Sequence, residues 1–191
     1  MRRCLTFPAP PLNTSMKKKV ITNSKQTAAD SEVFAALDFE TADYGRDSAC
    51  SLSIVRANAS GIQDQQTFLI QPPRRDFVFT YIHGITWSDV AGMPNFKGRW
   101  TEIQKMLAGV SYLAAHNASF DRSVMAACCK GAQVKELEHP YLCTVKLARK
   151  VWSLRPAKLP DVCAHLRIPL QHHDAASDAL ACAKIVLAAI K

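Results

Sequence analysis

The stretch Val33-Phe34-Ala35-Ala36-Leu37-Asp38-Phe39-Glu40-Thr41 carries the reading of the whole chain. From Val33 to Phe39 it is almost continuously apolar, the pattern of a strand buried on both faces. Asp38 and Glu40 interrupt its end. Residues at i and i+2 of a strand face the same way, roughly 6.6 Å apart. Two acids placed so, at the end of an apolar strand, repel one another and lose hydration. A helix cap and a frayed strand end would relieve them. A divalent cation would do so too, because hard cations favour carboxylate oxygens.

Outward from this strand, Ser51 to Ala57 and Thr67 to Gln71 read as strands at hairpin spacing, with Asn58-Ala59-Ser60-Gly61 as the turn. Pro72 and Pro73 end the third strand. Residues 72–94 read as one long loop, a length usually given to function. Phe96, Trp100, Ile103 and Leu107 then form a helical stripe that Gly109 terminates. Val110 to Ala115 reads as a fourth strand, and Ser119 to Lys130 as a helix ended by Gly131. A short strand at Tyr141 to Cys143 leads into a helix holding Lys146, Arg149 and Lys150. Short and long helices follow at Pro160 to Leu166 and Asp174 to Ile190, the latter with Asp174 as N-cap. Hairpin strands followed by alternating elements predict an α/β class: a mixed central sheet of about five strands with helices on its faces.

Length and composition agree with one such domain. The chain has 191 residues, 48% of them apolar, and no run suited to crossing a membrane, so an integral membrane protein is not expected. The net charge of +8 suggests a nucleic-acid partner, but its distribution qualifies this. Residues 1–29 contain Arg2, Arg3, Lys17, Lys18, Lys19 and Lys25 and no acid, leaving 18 basic against 16 acidic side chains elsewhere. This proline-bearing head shows no apolar period and is expected to be disordered over 1–31, ahead of a domain at 32–191. It reads as a tail, a targeting segment or a basic arm. The seven cysteines follow neither a C-x-x-C nor a zinc spacing, so reduced, mostly buried thiols and a cytoplasmic location are expected.

Two further segments carry acids at element ends. His116-Asn117-Ala118-Ser119-Phe120-Asp121 follows the fourth strand, where open α/β sheets bind ligands. His173-Asp174-Ala175-Ala176-Ser177-Asp178 opens the last helix. Alone, Asp121 and Asp178 read equally well as acids favoured by a helix N-terminus. Together, Asp38, Glu40, Asp121 and Asp178 could hold two divalent ions about 3.5–4 Å apart, the arrangement that stabilises attacking and leaving oxygens in phosphodiester cleavage. A histidine is suited to take the proton from the attacking water. Neither a P-loop nor a G-x-S-x-G serine hydrolase motif is present.

The order Asp-x-Glu, His-Asn-Ala-x-Phe-Asp and His-x-x-x-x-Asp resembles the three motifs of the DEDDh exonucleases. The likeness is to DnaQ-like members related to the proofreading epsilon subunit of DNA polymerase III. Leu37-Asp38-Phe39-Glu40-Thr41 resembles the first motif, Ile82-His83-Gly84-Ile85-Thr86 the family's loop segment, and Tyr141-Leu142-Cys143-Thr144 its link to the next helix. The resemblance covers about Val33 to Ile190. It implies a ribonuclease H-like fold and 3′-to-5′ release of nucleoside monophosphates with two Mg²⁺ or Mn²⁺ ions. It further implies that Asp38, Glu40, Asp121 and Asp178 hold the metals and that His173 is the general base. His172 competes for that role, although it lies one residue too far from Asp178 for the family spacing. Phe39, Thr41, His83, Asn117 and Phe120 are the implied substrate contacts. Phe39 stands where the family often has threonine, and its side chain is expected to point away from the metals.

The implied partner is nucleic acid with a 3′ end, single-stranded DNA foremost and RNA as the alternative. A polymerase or repair partner would fit, and a membrane is not implied. A binding or polymerase-accessory subunit without activity is the competing class. The strip Lys146, Arg149, Lys150, Arg155 and Lys158, interleaved with Trp152 and Pro156, reads either as a solvated face or as a track for strand phosphates.

Overall fold

The structure, a computed structural model, describes residues 32–191. The expected disorder of 1–31 lies outside the described residues. Five strands form one sheet in the order β3-β2-β1-β4-β5. They are β1 (Phe34–Thr41), β2 (Ala49–Asn58), β3 (Gly61–Leu69), β4 (Leu113–Ala115) and β5 (Tyr141–Cys143). The first three pair antiparallel, while β4 pairs parallel with both β1 and β5. The mixed five-stranded α/β sheet is therefore as expected.

Period-two alternation in β1 divides the core. Ala35, Leu37 and Phe39 join Leu52, Ile54 and Phe68 beneath two helices, α3 (Phe96–Leu107) and α4 (Ser119–Ala132). Phe34 and Ala36 face the other way, toward α5 (Thr144–Val151), α6 (Leu159–Leu166) and α7 (Ala175–Ala189). Helices thus cover both faces. The predicted stripe of α3 is buried at Phe96, Trp100, Ile103 and Leu107, each side chain contributing roughly 1.5–3 kcal/mol of transfer free energy. In α7, Ala175, Ala179, Ala181 and Ala183 are buried, and such small side chains let the helix lie close on β1 and β2.

Several boundaries differ from the sequence reading, among them the end of β3, at Leu69 rather than Gln71. Strand β3 begins at Gly61, the last residue of the expected turn, because Ile62 and Asp64 to Gln66 pair with β2, Gln63 bulging between them, although their side chains stay exposed at the sheet edge. An edge strand of this kind carries no apolar signal. Strand β4 is shorter than expected and begins at Leu113. Gly131 does not end α4, which runs on until Gln133 adopts a left-handed conformation (φ 55°) and donates its N–H to Cys129 and Lys130. The loop 72–94 contains two helical turns, α1 (Thr80–His83) and α2 (Trp87–Val90). Gly84, at φ 77°, closes α1 in a conformation that glycine adopts without strain. Among the described residues no helix is long and apolar enough to cross a membrane, and the six cysteines are unpaired, five of them buried.

Candidate active site

Side-chain parity puts Asp38 and Glu40 on the same side of β1 as Phe34 and Ala36, facing α7. A register shift between Glu40 and Thr41 ends the regular pairing there. Parallel pairing of Ala36 with Ala114 brings the ends of β1 and β4 together, so α4, which follows β4, delivers Asp121 beside β1. The Phe39 N–H donates to Asp121 Oδ1 at 3.2 Å. Helix α7 crosses the same region and brings Asp178 in from its first turn, Asp174 capping the helix by accepting from the Ser177 N–H at 3.0 Å.

The four carboxylates lie within electrostatic reach of one another, Asp38 and Glu40 half-buried and the other two buried. Asp121 is 1% exposed and Asp178 4%, and Asp121 Oδ2 and Asp178 Oδ1 have no hydrogen-bond partner among the described residues. Burial, and then the Asp121, Glu40 and Asp178 charges, push Asp38 well above the usual carboxylate range. Glu40 is pushed up to about 8 by burial and by Asp178 and Asp121. Burial raises Asp121 against the opposing Phe39 N–H, and raises Asp178 against the His173 N–H and the His172 ring. Buried acids with orphaned oxygens fit a divalent cation, which would neutralise the cluster and accept the free lone pairs.

The histidines are distinct. His172 Nδ1 lies 3.0 Å from Asp178 Oδ2, which also accepts from the His173 N–H at 3.2 Å. The two rings stack at 3.8 Å, and burial followed by the neighbouring His172 lowers the pKa of His173. His83 has both nitrogens engaged: Ile85 N–H donates to Nδ1 at 3.1 Å, leaving Nε2 to donate to the Thr41 carbonyl at 3.2 Å. That fixes the neutral tautomer and ties α1 to the end of β1. His116 is held near 4 chiefly by burial and pairs with Thr144 at 2.8 Å. Thr144, in the β5 link, thereby steadies the segment leading to Asp121.

A cleft of about 330 Å³ opens over this cluster. Asp38, Glu40, Asp178 and His173 border it together with Phe39, Thr41, His83 and Phe120. Asp121 and Asn117 are outside the lining, Asp121 buried and bonded to the Phe39 N–H, Asn117 exposed on the β4–α4 turn. The Phe39 side chain packs into the core under α3 and α4, pointing away from Asp38 and Glu40. Phe79 and Ile82 also line the cleft; Ile82 opens the loop segment singled out in the sequence, without a substrate role, whereas Phe79 was passed over. The signal for Phe79 was only its place three residues ahead of that segment. A larger cavity of about 610 Å³, between Phe96 and the end of α4, holds none of the four clustered acids.

The exonuclease family model, RNase T, matches residues 35–186, spanning both core faces and all four acids. The chain belongs to this exonuclease family. Among curated relatives, the PolC-type DNA polymerase III of Thermotoga maritima is 30% identical over 158 residues, 81% of this chain. That of Thermotoga petrophila is 29% identical over 168 residues, 86% of this chain. This exonuclease chain spans 12% of the length of each. Exonuclease X in complex with 5′-overhanging duplex DNA superposes with a TM-score of 0.66 at 24% identity, covering 82% of this chain and 90% of that one. The nuclease domain of 3′hExo, a DEDDh member bound to rAMP, gives 0.67 at 14% identity, with coverages of 83% and 90%. Exonuclease I of E. coli with a 5cy-dT13 oligonucleotide gives 0.66 at 16%, covering 83% of this chain and 40% of that one. At these identities the structures share the ribonuclease H-like fold of this exonuclease.

Proposed function

We propose that this chain is a divalent-metal-dependent 3′-to-5′ exonuclease releasing nucleoside monophosphates from DNA. The convergence of Asp38, Glu40, Asp121 and Asp178, with two orphaned buried oxygens beside a nucleotide-sized cleft, carries this reading. Those four residues would hold two Mg²⁺ or Mn²⁺ ions. When bound, such ions supply Lewis-acid stabilisation of the attacking and leaving oxygens. His173, neutral at ordinary pH, accepts the proton of the attacking water. His172 is engaged with Asp178 and orients it. Phe120, Thr41 and the His83 face border the terminal nucleotide, and Asn117 meets it from the rim. The PolC-type relatives favour DNA as substrate and a polymerase as working partner.

The test is hydrolysis of labelled single-stranded DNA and RNA with defined 3′ ends, in Mg²⁺, Mn²⁺ and EDTA. Monophosphate release from DNA is expected with metal alone, falling by at least ~10³-fold in Asp38→Asn. His173→Ala should lower turnover by roughly 10²–10⁴-fold. Activity in EDTA would refute metal dependence, faster RNA cleavage would refute the substrate, and a larger loss in His172→Ala would move the base by one residue.

A further inference from the structure

Three metal-ligating side chains crowd the entry to α7. A ring nitrogen of His172, a ring nitrogen of His173 and a carboxylate oxygen of Asp178 all lie within 4.8 Å of one another. The two imidazoles stack with centroids 3.8 Å apart. Asp178 is 4% exposed, and its Oδ1 has no hydrogen-bond partner among the described residues. Its Oδ2 accepts from the His173 N–H and lies 3.0 Å from His172 Nδ1. Hydrolysis as proposed above needs one imidazole as base and Asp178 as an oxygen ligand, which leaves the second imidazole over.

The backbone holds this cluster in place. His173 adopts a left-handed conformation (φ 69°), uncommon for a residue with a Cβ, and from it donates its N–H to Asp178. On one side of the pair, the Gln171 N–H donates to Ser177 Oγ at 2.8 Å. On the other, the Asp174 N–H donates to the Gln171 carbonyl at 3.2 Å, and the Asp174 carbonyl accepts from the Asp178 N–H at 2.8 Å. Residues 172 and 173 are therefore pinned at both ends to the first turn of α7. Their rings stay within reach of solvent, since both residues are exposed and both border the cleft.

We propose that His172, His173 and Asp178 form a Zn²⁺ site, distinct in chemistry from the oxygen-ligated Mg²⁺ or Mn²⁺ pair, and that zinc seated there inhibits hydrolysis. The inhibition rests on the exonuclease reading and deepens it. Mg²⁺ is a hard cation that selects oxygen, whereas Zn²⁺ readily takes imidazole nitrogen. Zn–N bonds of about 2.0–2.1 Å in a tetrahedron set the ligand atoms roughly 3.4 Å apart, so these three donors need only modest side-chain rotation. The cation replaces the proton shared between His172 Nδ1 and Asp178 Oδ2, and His172 then carries its proton on Nε2. With one nitrogen on zinc and the other protonated, the His173 ring has no lone pair left for the attacking water's proton. Asp178 is drawn from the catalytic ions in the same step.

The test uses the full chain in excess Mg²⁺ and measures Zn²⁺ affinity by competition with a fluorescent zinc indicator. His172→Ala should weaken Zn²⁺ binding by at least ~10- to 100-fold, since a direct ligand matters no less than the outer-shell partners whose loss has that effect. His172→Gln, which keeps a polar side chain without the ring, should lose zinc likewise, and melting in EDTA checks that both variants fold. Asp38→Asn should weaken Zn²⁺ binding far less than His172→Ala, because Asp38 belongs to the oxygen-ligated pair. Zn²⁺ added to Mg²⁺ should stop monophosphate release from single-stranded DNA, and a chelator that takes zinc and spares Mg²⁺ should restore it. In His172→Ala, measured against its own zinc-free rate, half-inhibition should need more Zn²⁺ by the same factor as the loss of affinity. Undiminished zinc affinity in folded His172→Ala, a larger loss in Asp38→Asn, or zinc binding without inhibition of an active chain would each overturn the proposal. A chain that binds Zn²⁺ through His172 yet releases no monophosphate in Mg²⁺ or Mn²⁺ alone would overturn the exonuclease reading and leave the zinc site standing.

Discussion

Glu40 condenses the electrostatics of the site into one side chain. Burial and the neighbouring acids move it from an ordinary 4.5 to about 8, and Asp38, Asp121 and Asp178 shift in the same direction. Between those values the folded chain holds protons that the unfolded chain has released, so stability falls as pH rises. The metal-free protein should show a declining melting temperature by calorimetry in EDTA from about pH 5 to about pH 8. Mg²⁺ or Mn²⁺ should flatten the decline, because a bound cation stabilises the ionised acids. A melting temperature that rises over this range in EDTA would contradict the carboxylate cluster. Asp43 and Asp47 act oppositely, their carboxyls held low chiefly by hydrogen bonds from Arg74. Their contribution is lost only as pH falls below the carboxylate range, outside this window. The parity of Asp38 and Glu40 was legible in the sequence, because a strand's period of two is local. Their mutual repulsion and lost hydration were legible too, but the added charges of Asp121 and Asp178 were not, since α4 and α7 bring those acids from distant parts of the chain.

At the scale of elements, α7 matters most, because it carries Asp178 and packs on β1. Asp174 was legible as its N-cap, and its carboxylate accepts from Ser177 as a cap should. Asp174→Ala should cost about 1 kcal/mol in urea unfolding and weaken divalent-ion binding by titration calorimetry, since the turn holding Asp178 would fray. Unchanged stability would mean that packing alone fixes this turn. Helix α3 was legible from its stripe, and β1 from its apolar run. Strand β3 was legible only at its buried end: Phe68 faces the core, whereas Asp64 to Gln66 are polar and exposed and owe their strand conformation to pairing with β2. Gly131 misled because glycine often ends helices. Here it sits exposed inside α4, with nothing near the position a Cβ would take, and tertiary packing carries the helix past it.

At the scale of the molecule, the described residues 32–191 supply hydrophobic clusters on both faces of the sheet, with β1 at its centre. A chain beginning at Glu32 should keep the melting temperature and the 3′-end hydrolysis of the full chain, measured by calorimetry and monophosphate release. A lost cooperative transition would assign the head to the fold. The basic head supplies most of the +8, and the cleft is acidic, so on the proposed function attraction for a strand at the reaction site would come from bound cations and from Arg46, over the Phe120 ring, rather than from net charge. The sequence by itself determined what local periodicity and spacing encode: β1, the shared face of Asp38 and Glu40, the stripe of α3, the cap of α7 and the three motifs. Only the tertiary structure decided that Asp121 and Asp178 meet Asp38, and which of two adjacent histidines engages Asp178. Those contacts join residues far apart in the chain, and sheet order and helix crossing set them, for which no local pattern exists.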